Sequence, residues 1–276
     1  MTAFTVRSDE PARAVKRAAV GYLEALFNYP AGAGSVTAGR ERLAEKRLSV
    51  EGASTAAPLL DGKAAGAVQV VYPQLGGLTA NRASIMAVVR LSTVRGQKLI
   101  TRTRVLDLRL AKRGSTWTVT GLASTGGGPP SRPRPSKLAA QVLASKKIIL
   151  SDTSAWDVQR GRVDDRVLRM LLRLSQEHTL SVCVLSTGHP AKVFGSASVS
   201  NHTKGRAVDI WAIDGKRVAV YARRPADQGN PARRVMETAM RYGSTEVGGP
   251  WAFVGRYGAT FTNTVHQDHL HVGFKR

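Results

Sequence analysis

The sequence predicts an α+β chain of two domains joined by a connector. Three observations carry this. The stretch STGGGPPSRPRPS, Ser124 to Ser136, holds three glycines and four prolines, which removes helix and ladder hydrogen bonds and leaves an extended, semi-rigid link. Ahead of it, helical patterns give way to a run of strands. Behind it, helices and short strands alternate around two clusters of histidine and aspartate. The 276 residues suffice for each part to bury its own core, so the expected layout is a domain at 1–123, a linker at 124–136 and a second domain at 137–276.

Within the first domain, Pro11 to Tyr29 reads as an amphipathic helix: Val15, Ala18, Ala19, Tyr22, Leu23 and Leu26 recur at helical spacing, and Pro11 suits a first turn. A second helical patch spans Glu41 to Leu48. Strands are expected at Ala67–Tyr72, Ala83–Thr93, Gln97–Leu110 and Thr116–Ala123, where β-branched and apolar residues suggest a partly buried antiparallel sheet, with KRGST as a hairpin connection. In the second domain, VDDRVLRMLLRLSQE from Val163 to Glu177 predicts a helix with Asp164 and Asp165 in its first turn and Val167, Leu168, Leu171 and Leu174 on one face. His178 at its end is expected to meet unpaired helix carbonyls. A buried strand at Leu180–Ser186, a helix at Pro231–Tyr242, a turn at Gly248–Pro250 and a closing strand at Asp268–Phe274 complete the reading.

Composition narrows the functional classes. Hydrophobic residues make up 42% of the chain and aromatic ones 6%, which suits packed cores and argues against wholesale disorder. No apolar run is long enough for a transmembrane segment, and the charged first thirty residues lack the apolar centre of a signal peptide. One cysteine, Cys183, excludes an internal disulfide or a thiolate-rich metal site, and its setting in LSVCVLS reads as a small buried hydrophobe. The formal charge of +22 is spread along the chain and favours polyanionic partners. The basic residues form no nucleic-acid motif and have no interleaved aromatics, so no specific nucleic-acid binding is expected.

The chemistry sits in Ser200-Asn201-His202-Thr203-Lys204-Gly205-Arg206-Ala207-Val208-Asp209 and in His266-Gln267-Asp268-His269-Leu270-His271. Three histidines and an aspartate within six residues are too polar for a core strand. In a strand, His269 and His271 share one face, and a bend is needed to bring Asp268 to the same site. Gly205 permits a tight or left-handed bend between His202 and Asp209, and Ala207 leaves room beside a metal. Three His and Asp ligands with a fourth tetrahedral position open is the donor set of a catalytic zinc.

The pattern Ser-x-His-x-x-Gly-x-Ala-x-Asp at 200–209, followed by His-x-Asp-His-x-His at 266–271, resembles the LAS metallopeptidases. That group takes in lysostaphin-type enzymes, D-alanyl-D-alanine carboxypeptidases, murein endopeptidases and the hedgehog fold. The resemblance covers about 95 residues, from Leu180 to Phe274. It implies Zn2+ held by His202, Asp209 and His271, with Asp268 accepting a proton from the attacking water and His269 steadying the oxyanion. His266 corresponds to a further histidine found in some members. The family arginine after the preceding strand is replaced here: Ser186-Thr187-Gly188-His189-Pro190 places His189 there, so His189, Lys192 or Arg206 would hold substrate or oxyanion. The order of elements in the first domain resembles the cystatin-like cones related to nuclear transport factor 2, a helices-plus-curved-antiparallel-sheet arrangement, implying a structural or docking part. Trp211 and Trp251 are expected as core aromatics that could also line a peptide groove.

These features lead to an expected zinc-dependent hydrolysis of a peptide bond in peptidoglycan stem or cross-bridge peptides, of carboxypeptidase or endopeptidase type. Anionic wall polymers would be further partners, and the location would be extracytoplasmic or wall-associated. Two rivals stand beside it: a catalytically inactive zinc-containing wall-binding module, and a nucleic-acid binder whose histidines are incidental.

Overall fold

The computed structural model describes residues 4–275. They fold as an α+β chain with two compact units, one of residues 4–8 and Ala12–Gly127, the other of Asp9–Pro11 and 128–275.

The first unit opens with helix α1 (Arg13–Phe27), which turns Ala19, Leu23, Leu26 and Phe27 inward. It starts later than Pro11 because Ala12 adopts a left-handed conformation at the cap, and it stops at Asn28, whose side chain accepts from the Val68 amide at 2.8 Å. Helix α2 (Val36–Glu45) begins earlier than the apolar spacing indicates, because Ser35 caps it by accepting from the Ala38 amide at 3.0 Å. A short helix α3 (Gly52–Thr55) precedes four strands, β1 (Ala65–Leu78), β2 (Arg82–Arg95), β3 (Lys98–Arg113) and β4 (Thr116–Ser124), which form an antiparallel meander in sequence order. β1 runs well past Tyr72, through Pro73 and two glycines, because as an edge strand it tolerates a missing amide and register breaks. α1 packs against β1 and β4, and each fully buried leucine in that layer contributes roughly 1.5–3 kcal/mol.

One buried carboxylate stands out in this sheet. Asp107 on β3 accepts from Ser84 Oγ at 2.9 Å and pairs with Arg109 at 2.6 Å. Burial nonetheless pushes its pKa up to about 6, against the lowering effects of Arg109 and Ser84.

In the second unit, helix α4 (Lys137–Ala144), strand β5 (Ile148–Ile149) and helix α5 (Asp152–Gln159) lead to helix α6 (Asp165–Glu177) and strand β6 (Leu180–Val184). The sequence reading passed over α4 and α5, although Ser136 and Ser151 cap them at 3.2 Å, a signal visible in the chain. Strands β7 (Ala207–Ile213) and β8 (Lys216–Arg217), helices α7 (Val218–Tyr221) and α8 (Pro231–Arg241), and strands β9 (Glu246–Gly248), β10 (Val254–Gly255), β11 (Gly258–Ala259) and β12 (Leu270–Gly273) follow. The main sheet runs β5-β6-β7-β12-β9, with β8 beside β7. Its core joins Val167, Leu171 and Leu174 of α6 to Val182, Val208, Ile210, Met236 and Val272, and Trp251 packs partly buried against it. Cys183 is buried and forms no disulfide among the described residues. His178 meets a carboxylate rather than helix carbonyls: its Nδ1 lies 2.7 Å from Asp214 Oδ2.

Because Asp107 binds its proton more tightly folded than unfolded, the folded state holds the extra proton between about pH 4 and pH 6, and the contribution of Asp107 to stability falls as pH rises through that window. Urea titrations of the wild type and of Asp107→Asn, which keeps an acceptor for Ser84, are expected to give a stability difference that falls by on the order of 2–3 kcal/mol from pH 4 to 7.

Candidate metal centre

The site is built by strand register. β7 and β12 are adjacent and antiparallel, and Asp209 stands directly opposite His271. A cross-strand pair places two side chains on the same face within reach of one another, and Asp209 Oδ1 lies 3.0 Å from His271 Nδ1. The third member comes from the turn before β7. Ser200 caps a short 3-10 turn (Asn201–Lys204) by accepting from the His202 amide at 3.2 Å, and this points the His202 ring inward. Gly205 then reverses the chain into β7 at φ 67°. A side chain there would be strained by the left-handed backbone and would strike the Arg162 carbonyl. His202 Nε2 ends 3.1 Å from Asp209 Oδ1 and 3.2 Å from His271 Nδ1.

Proton placement makes this triangle informative. His202 Nδ1 sits 2.8 Å from the Leu185 carbonyl, which can only accept, so that nitrogen carries the hydrogen and Nε2 presents a lone pair in the neutral ring. His271 Nε2 faces Glu246 Oε2 at 3.7 Å, an ion-pair distance, while its Nδ1 faces the centre. Glu246 is in turn bonded by Asn201 Nδ2. Two imidazole nitrogens and a carboxylate oxygen therefore converge on one point, an arrangement that a cation would stabilise. A tetrahedral ion with ligand bonds of about 2.0–2.1 Å spaces its donors by about 3.3 Å, close to the three observed separations. The rings of His202 and His271 splay about that point, with centroids 5.1 Å apart at 63°.

Electrostatics agree with the geometry. Burial disfavours the Asp209 anion, but His202 and His269 with the imidazole hydrogen bonds outweigh it and hold the carboxyl well below its usual range. Burial likewise opposes charge on His271, yet Asp209 and Glu246 lift its pKa to about 9. In the absence of metal, a proton on His271 takes part of the role a cation would fill.

His189 is also close. His189, His202 and Asp209 each offer a ligand atom within 4.8 Å of the others, and this group could hold a metal ion. The His189 ring, however, stacks on His202 at 4.1 Å and 13°, a parallel arrangement unlike two imidazoles directed at one tetrahedral ion. His202, Asp209 and His271 are the tighter set. His189 Nδ1 is 2.7 Å from the Pro190 carbonyl and so donates its hydrogen there. Burial and the neighbouring His202 push its pKa well below 6.5, leaving a neutral ring without a donor to offer an oxyanion.

Asp268 and His269 lie just ahead of β12 rather than in it, and the chain's turn before Leu270 supplies the bend that a strand reading of Asp268 required. Both are buried, and Asp268 Oδ1 lies 2.7 Å from His269 Nδ1. His269 Nε2 points back to the candidate ligands, 3.8 Å from Asp209 Oδ2. His266 packs against His269 at 4.9 Å between ring centroids, and burial lowers its pKa well below 6.5. Five of the six histidines of the chain thus gather here. Arg206 does not join them: no hydrogen bond or ion pair links its guanidinium to the cluster among the described residues, and its charge acts on Asp164 instead. Lys192 is exposed on the loop that follows His189.

Two supporting residues went unnoticed in the sequence. Asp157 on α5 is fully buried and accepts from the Ser186 amide at 3.2 Å, the Thr187 amide at 2.7 Å and Thr187 Oγ1 at 2.6 Å, which fixes the turn carrying His189. Glu246 on β9 orients His271 as described. Neither belongs to a local motif, since each meets its partner only through the fold.

No protein-family model, curated protein or solved structure matches the chain.

The Gly205 turn yields a clear expectation. Gly205→Ala should lower stability by about 1–3 kcal/mol from backbone strain alone, and more from the clash, with a drop in the thermal midpoint readable by circular dichroism. A divalent cation held by this cluster predicts that chelation lowers that midpoint and that returning the cation restores it, whereas His202→Ala abolishes the restoration.

Proposed function

We propose that the second unit is a zinc-dependent peptidase acting on peptidoglycan stem or cross-bridge peptides. The observation that carries the reading is the convergence of the His202, Asp209 and His271 ligand atoms at 3.0–3.2 Å beside a buried Asp268–His269 pair. A donor set of two imidazoles and one carboxylate, with each imidazole backed by an acceptor, suits zinc with one position left open. When bound, zinc supplies a Lewis acid that polarises the scissile carbonyl and acidifies water toward neutral pH.

The chain's own residues then handle the proton. Asp268 Oδ1 accepts from His269 Nδ1–H, which fixes the tautomer and leaves Nε2 as a base facing the ligands. His269 takes the proton of the attacking water at Nε2, and Asp268 stabilises the imidazolium that results. This exchanges the roles that the motif alone suggests, because the carboxylate is occupied by its neighbour while the imidazole reaches the site. Leu185 and Glu246 keep the two ligand imidazoles in register throughout. The family resemblance of the two motifs supports a peptide substrate, and the charge of +22 suits retention among anionic wall polymers outside the membrane. No helix among the described residues is long and apolar enough to cross a membrane.

One observation favours a second reading, a zinc-containing module that binds wall peptides without cleaving them. His189 stands in place of the family arginine and is neutral, stacked and committed to Pro190, so the site has no cation for an oxyanion there.

Mass spectrometry of muropeptides after incubation with purified protein separates the two. Hydrolysis is expected, with about one zinc per chain, and both Asp268→Asn and His269→Ala should cut the rate by about 10²–10⁴-fold while zinc content is unchanged. Zinc-loaded wild type that leaves every muropeptide linkage intact would overturn the enzymatic reading in favour of the binding module.

A further inference from the structure

A basic groove on the second unit has no part in the metal centre. Helix α6 carries Arg166, Arg169 and Arg173 at spacings of three and four residues, which puts all three guanidinium groups on one exposed stripe. Facing them across a groove of about 570 Å³ are Tyr242 at the end of α8, and Phe274 and Lys275 after β12. Carboxylates neutralise only part of this charge. Arg166 is held by Asp164 through two bonds of 3.0 and 2.7 Å. Arg169 lies 3.7 Å from Asp165 with both side chains mostly exposed, a pair of little energetic weight. Arg173 has no carboxylate partner among the described residues. The rings are engaged by cations: Arg166 lies over Phe274 at 5.1 Å, and Arg173 and Arg241 lie over Tyr242 at 5.6 and 5.3 Å.

We propose that this groove binds a linear polyanion of phosphodiester units that carries no bases. Three features select that chemistry. The arginines recur at about 4.5 and 6 Å along the helix axis, from a rise of about 1.5 Å per residue, which matches repeated charge along an extended chain. Guanidinium forks complement phosphate oxygens in pairs. The ring faces that base stacking would need are already occupied, since Phe274 is buried and Tyr242 carries two guanidinium groups. The proposal is independent of the zinc reading, because none of these residues touches the histidine cluster.

The test is fluorescence anisotropy with labelled poly(glycerol phosphate), an oligothymidylate of equal charge and neutral dextran, over a range of salt concentrations and on the full chain. Poly(glycerol phosphate) is expected to bind most tightly, with dextran showing no binding. Arg169→Ala with Arg173→Ala should weaken binding at least tenfold and make the salt dependence of the binding constant shallower by about one to two units of slope. A matched double change in the other unit, Arg95→Ala with Lys98→Ala, removes the same charge from an exposed hairpin and should alter affinity less than threefold. Arg173→Glu alone provides a second variant should the double change perturb folding, and it should weaken binding as strongly. Equal losses in the two double variants would show that net charge alone drives binding and would overturn the site. Tighter binding of oligothymidylate, or dextran binding as well as the polyanion, would overturn the ligand class.

Discussion

The pairing of Asp209 with His271 across two adjacent antiparallel strands is the interaction on which the site depends. Backbone hydrogen bonds between β7 and β12 set that register, and a slip of one residue would send either side chain to the opposite face. The strands are held in turn by the core beneath them, where Val208, Ile210, Leu270 and Val272 are fully buried. The geometry of the candidate site and fold stability therefore share one set of contacts. An apolar core residue far from any ligand atom can move the centre by loosening the ladder.

Around that pair, each imidazole is fixed by the atom on its far side. Leu185 at the end of β6 directs His202, Glu246 on β9 directs His271, and Asp268 directs His269. These partners come from three different segments, so the sheet order β6-β7-β12-β9 is what assembles them. The same order explains the short strands. Each needs to run only far enough to place one or two polar side chains at a common end, after which the chain leaves in a turn.

Charge is organised on two scales. Within the histidine cluster, burial raises the cost of every uncompensated ion, and opposite charges are placed within about 3 Å of one another to meet it. On the surface, arginines remain exposed and weakly paired, so they act at longer range and under strong salt dependence. The groove beside α6 belongs to the second regime and the histidine cluster to the first. A single chain thus presents a closed electrostatic device and an open one, with different expected responses to ionic strength.

The sequence by itself determined the α+β class, the amphipathic helix at α6, the four strands of the first unit in outline, and the candidate ligands His202, Asp209 and His271. Periodicity, turn residues and the density of histidine are local properties, and they survive in a linear reading. Boundaries were less legible: α4 and α5 carry weak apolar patterns and were marked only by Ser136 and Ser151 as caps, while β1 crosses a proline that a central strand would exclude. What only the tertiary structure decided was the set of partners. Asp157 lies 30 residues from the Thr187 it anchors, and Glu246 lies 45 residues from Asn201. No local pattern encodes such distances. The tautomer of His189 and the contact of Asp268 with His269 are likewise settled by neighbours that the fold brings close. The physical reason is that ligand identity is a property of side chains, whereas ligand direction is a property of what packs behind them.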